Sequence, residues 1–158
     1  MFNYSSNAND FLQQLAKLYP EFEEEAGEYE REFVIALNKR ILALTPVWEG
    51  DSIANYVWSV GSPLLSHRDP IGSGPPGHTN QMSLGEEPRR PANEALVRES
   101  LATVLAAKLP ADIYMTNSAE GIVDLEYGQR PTPQTSRVSG AGMVRLAIID
   151  TIGTLRGL

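Results

Sequence analysis

The 158-residue sequence contains no cysteine. Disulfides, thiolate nucleophiles and cysteine metal sites are therefore excluded, and the absence fits a reducing compartment. Histidine is scarce as well. His67 and His78 are the only two, both lie in one polar stretch, and only Asp69 stands near either at ligand spacing, so no metal centre is expected. No apolar run approaches the roughly 18 residues that span a membrane. The opening "MFNYSSNAND" has neither the basic start nor the apolar core of a secretory signal. Basic residues are outnumbered 13 to 20, giving a net charge of −7. The densest basic cluster is Arg89–Arg90, too little to displace counterions along a nucleic acid backbone, which argues against sequence-specific DNA binding.

The acidity that is present is concentrated. Residues 21–32, "EFEEEAGEYERE", carry seven Glu and one Arg, a local balance of −6 that leaves the rest of the chain near neutral. Asn9 and Asp10 predict the cap of a short helix running to about Leu18. Pro20 then suits the first turn of a second helix. In that helix Phe22, Ala26, Tyr29, Phe33, Leu37, Ile41 and Leu44 recur at steps of three or four, the strongest periodic signal in the chain and the mark of one inward face. Gly27 weakens this helix by about 1 kcal/mol, and Pro46 stops it. The glutamates fall mostly on the other faces, which is what a solvated helix surface, a repulsive channel lining or a docking strip for a basic partner would each require.

Ser52 to Val60 alternates, with Ala54, Tyr56, Trp58 and Val60 on one side and Asn55 and Ser59 on the other. This predicts a strand with Trp58 in the core. Gly61 to Pro91 holds five glycines and six prolines and predicts a long irregular loop; its length predicts packing on an adjacent subunit or a neighbouring ring. Within it "GSGPPG" matches the dinucleotide fingerprint letter for letter. It lacks the strand before and the helix within that the fingerprint needs, so no cofactor is expected. A third helix is predicted from Pro91 or Asn93 to about Leu109, with Val97, Leu101, Val104, Leu105 and Lys108 inward. A short strand follows over Asp112–Asn117, then a helical turn over Glu120–Tyr127 that Gly128 ends in a left-handed conformation. Residues 129–140 read as loop. Met143 to about Leu155 is a last helix or a strand, because Val144, Ile148, Ile149 and Ile152 favour either.

This order predicts one α+β domain with a small antiparallel or mixed sheet. So small a sheet leaves strand edges to be covered by the long loop or by another subunit. Catalytic material is sparse. There is no Walker loop, no H-E-x-x-H and no G-x-S-x-G elbow, and Asp124 and Glu126 diverge on a helix. A small acidic enzyme would have to work through Glu126 and Tyr127; the expectation is that the chain is not an enzyme.

Two stretches carry a resemblance. "TPVWEGDSIANYVWSVGSP" (Thr45–Pro63) resembles the segment after the long first helix of tailed-phage neck or tail-completion proteins, the head–tail joining family of minor tail protein Z type. "IYMTNSAEGIVDLEYG" (Ile113–Gly128) followed by "GMVRLAI" (Gly142–Ile148) resembles the most recognisable block of that family. The likeness spans about Phe33 to Ile149. It implies a structural virion protein without catalytic residues, at the head–tail junction, made in the host cytoplasm and assembled as a ring, a hexamer or dodecamer. Its neighbours would be head–tail connector, portal-side or tail-tube proteins, and DNA would pass through unbound. A portal-binding head-completion adaptor is the nearest alternative. On this reading Leu125 and Tyr127 are packing anchors, Gly128 releases the chain into a loop, and Glu126 is a fixed hydrogen-bond acceptor, a subunit contact or a solvated carboxylate. Met143 and Arg145 belong to the same block. Loss of the Tyr127 side chain is then expected to do more damage than Glu126→Gln.

Overall fold

A computed structural model describes residues 4–45, 51–71, 90–127 and 142–157. The chain is α+β. Helix α1 (Tyr4–Leu44) leads through the four-residue α2 (Asp51–Ala54) into strand β1 (Tyr56–Val60). Helix α3 (Arg90–Leu105), strand β2 (Ile113–Asn117), short helix α4 (Ile122–Tyr127) and helix α5 (Met143–Arg156) follow. The two strands pair antiparallel, with Tyr56 opposite Asn117, Trp58 opposite Met115 and Val60 opposite Ile113. The C-terminal half of α1 packs on α5, and α3 packs on β1. Val34, Leu37, Ile41, Tyr56, Trp58, Val97, Leu101, Val104 and Ala147 form one buried cluster among these elements.

Several expectations need correction. The two N-terminal helices are one 41-residue helix with Pro20 inside it. Proline there removes one backbone donor and costs about 3 kcal/mol relative to alanine, but residues 10–22 are exposed, so water can reach the carbonyl left without a partner. The predicted inward face holds only from Phe33 onward. Leu37 and Ile41 are buried, whereas Phe22 and Tyr29 are 64% and 54% exposed. The strand predicted over Ser52–Val60 begins as a helical turn, and β1 is buried on both faces: Asn55 and Ser59, read as outward, are covered, while Val60 is partly open. The last segment is a helix.

Buried amides fasten the start of the long loop. The Asn55 side chain donates to the carbonyls of Asp51 (3.0 Å) and Arg68 (3.0 Å) and accepts from the Arg68 N–H (2.7 Å) and the Ser118 hydroxyl (3.1 Å). Asn93 accepts from the Ile71 N–H at 2.8 Å and donates to its carbonyl at 3.2 Å. The Thr116 hydroxyl donates to the Leu64 carbonyl. Side chains thus hold residues 64–71 beside β2, with no third strand. The expected packing of the loop on an adjacent subunit or a neighbouring ring concerns the assembly, and here the inner edge of residues 64–71 is taken up by its own domain; residues 72–89 of the predicted loop lie outside the described residues. On the other strand the Trp58 N–H donates to Ser100 Oγ of α3 at 3.2 Å, and Trp58 Nε1 donates to Asn38 Oδ1 at 2.9 Å. This places Trp58 in the core, as its alternation indicates.

α1 leaves the body at Gly27. A Cβ there would lie 2.6 Å from the Leu109 carbonyl oxygen and 2.9 Å from its carbon, and Glu30 accepts from the Ala111 N–H at 3.0 Å. Gly27 is therefore a close approach of two backbones, beyond the helix weakening read from sequence. Gly27→Ala gains about 1 kcal/mol of helix propensity, and the forced shift against backbone outweighs it, for a net loss of about 1–2 kcal/mol. Gly153→Ala, in α5 with nothing within 4 Å of the added carbon, should stabilise by about 0.5–1 kcal/mol. Urea midpoints of the two variants moving in opposite directions are the expected outcome.

A carboxylate clip at the start of α5

The Leu-Glu-Tyr segment ends α4, and its partner is the start of α5. Four residues at a helix N-terminus have no acceptor inside the helix for their N–H groups. Here a distant side chain supplies one. Glu126 Oε2 accepts from the Val144 N–H at 2.9 Å, and Oε1 accepts from the Arg145 N–H at 3.4 Å. The guanidinium of Arg145 folds back, with Nε 3.3 Å from Oε1 and an amino nitrogen 3.4 Å from the Glu126 carbonyl. The carboxylate also sits at the positive end of the α5 dipole. Glu126 is thus a fixed acceptor joining two elements separated by residues outside the description.

The clip explains the glycine before Met143. Gly142 has φ 74° and ψ 141°, a backbone region that is essentially glycine-only. A Cβ at that position would fall 2.2 Å from Glu126 Oε1 and 2.7 Å from the Glu126 carbonyl oxygen. No side chain at position 142 can coexist with the carboxylate where it stands. Met143, next in line, is 1% exposed and anchors α5 in the core.

Tyr127 is corrected. It is 60% exposed and is no core anchor; its ring lies under the Arg145 guanidinium, 5.2 Å from centroid to carbon, a contact worth about 0.5–1 kcal/mol at an exposed site. Leu125 is half-buried. Gly128 lies outside the described residues. The sequence reading brought Glu126 and Arg145 into one block without pairing them, and nothing in their spacing signals that pairing.

A second polar group lies close by. Tyr56 is buried, and its hydroxyl oxygen accepts from Thr45 Oγ1 at 3.3 Å. Burial pushes the phenol up to about 12, and the Glu126 charge pushes the same way against hydrogen bonds from Thr45 and Asn117. In the unfolded chain the phenol ionises near 10. Above pH 10 the unfolded state loses this proton while the folded state keeps it, so stability intact below pH 10 falls as pH rises to about 12. The loss totals on the order of 2.5 kcal/mol. The difference in urea midpoint between parent and Tyr56→Phe, followed from pH 9 to 12, should reveal that slope.

Arg90 closes the far end of α1, donating to the carbonyls of Leu42 at 2.8 Å and Thr45 at 3.0 Å. His67 sits 3.7 Å from Asp51, and among the described residues no three His, Asp or Glu side chains gather as a metal site. No helix of the described residues is long and apolar enough to cross a membrane. No family model, curated protein or solved structure matches the chain.

Proposed function

We propose that the chain is a structural subunit of the tailed-phage head–tail junction, a neck or tail-completion protein that works as a ring and has no catalytic role. The observation that carries this reading is the clip. The two halves of the block that resembles the neck family, Ile113–Tyr127 and Gly142–Ile148, meet through Glu126 and the α5 N-terminus. Both carboxylate oxygens are engaged there, and Tyr127 is occupied by Arg145. These contacts support a structural role for Glu126 over a catalytic one. In this role the chain belongs to the virion, next to connector or tail-tube proteins, and takes no cofactor. The test is a nonsense mutation in its gene within the phage that encodes it. DNA-filled heads and separate tails, with joining restored when purified protein is added, are expected. Normal plaque formation without the protein would overturn the reading.

A further inference from the structure

From Gly27 back to its start, α1 stands clear of the body. Residues 10–26 have exposed surfaces apart from a half-covered Glu23, and at about 1.5 Å per residue residues 4–26 reach about 35 Å outward. Phe11, Leu15, Leu18, Phe22 and Tyr29 line one side of this arm, flanked by Leu12 and Tyr19, each between 46% and 64% exposed. The seven side chains together leave on the order of 600 Å² of apolar-rich surface open. A typical monomer exposes patches of about 300–600 Å² at most, and a stable interface covers about 800 Å² per partner. The stripe lies roughly 130° around the helix from the Gly27–Val34–Ile41 side that meets the body. Among the described residues none of the body covers the stripe, and one continuous helix cannot fold back onto itself.

The stripe is nearly symmetric about residue 20. Turned end for end there, Phe11 exchanges with Tyr29 and Leu18 with Phe22, while Leu15 meets the Glu25–Ala26 step. The charge is not symmetric. Residues 21–32 carry a balance of −6, whereas residues 8–19 hold one Asp and one Lys. Two arms side by side in parallel would set seven glutamates against seven. Antiparallel, each acidic block lies along the neutral half of the other arm, with Lys17 opposite Glu23.

We infer that the arm is a self-pairing element: two copies of this chain associate through antiparallel α1 arms crossing near Pro20, with Phe11 of one copy against Tyr29 of the other and Leu18 against Phe22. Such a contact is two-fold and closes with two chains. It is therefore distinct from a ring contact and does not depend on the head–tail reading.

The absence of cysteine makes the test direct, because a single introduced cysteine is the only thiol. Full-length Phe11→Cys and Tyr29→Cys chains are treated with a short bis-maleimide, separately and mixed. The mixture should give the cross-linked dimer in severalfold higher yield than either variant alone. Strong self-linking of Phe11→Cys would mean a parallel pair and overturns the inference. A dimer by sedimentation with no arm-to-arm link, or a monomer at tens of micromolar, overturns it too. Leu18→Glu/Phe22→Glu, which alters no core residue, should raise the dimer Kd by about 50-fold or more while urea unfolding of the monomer stays as in the parent. An unchanged Kd in that variant is equally fatal to the inference.

Discussion

Gly142→Ala should lower stability by about 3–5 kcal/mol, enough to leave much of a marginal domain unfolded. Two costs combine. The positive φ is closed to an L side chain, and the new methyl would occupy the place of the Glu126 carboxylate, 2.2 Å from Oε1. Relief requires either the clip or the α5 N-terminus to move, and α5 carries Met143 and Ala147, both in the core. The check is the urea midpoint with far-ultraviolet circular dichroism. A loss under 1 kcal/mol would mean that α5 starts differently in solution.

Glu126→Ala should cost about 3–4 kcal/mol, since it leaves two N–H groups of α5 without their charged acceptor. Glu126→Gln keeps an acceptor oxygen and loses the ion pair, so about 1 kcal/mol is expected. Tyr127→Ala removes an exposed ring and one cation–π contact, again about 1 kcal/mol or less. Near-equal losses for Glu126→Gln and Tyr127→Ala depart from the expectation drawn from sequence, where Tyr127 was the anchor and its loss the larger. Urea denaturation of the three variants together ranks them. A Tyr127→Ala loss above that of Glu126→Ala would contradict the clip.

The misreading of Tyr127 has a physical origin. An aromatic residue at the end of a short helix can face inward or outward, and which it does depends on where α5 lies. The sequence pattern leaves that placement open, even though Arg145 is three residues beyond Gly142. Periodicity in α1 behaved similarly. It showed that Phe22, Tyr29, Leu37 and Ile41 fall on related sides, but periodicity states only that apolar residues share a side. Whether anything covers that side is a tertiary fact, and cover begins only at Gly27. The helix from Pro20 to Leu44, both strands, the third helix and the α+β class were legible because local propensity and patterning agree there; Pro20 misled as a boundary, since α1 runs through it. Asn55 and Asn93 were illegible as clamps, because their value lies in hydrogen bonds to Arg68 and Ile71, residues that only the fold brings to them. The helix at Met143–Arg156 was ambiguous from its isoleucines; Ala147, buried in one cluster with α1 residues, and Met143, buried four residues before it, fix it as a helix.

The proposed place at a phage head–tail junction is tested most directly by a reconstruction of the particle in which this chain is found. On that proposal the α1–β1–α3–β2–α5 body fits density between portal and tail, repeated around the channel axis as a closed ring. A particle in which that ring is built by other chains, with this one absent or located elsewhere, would contradict it.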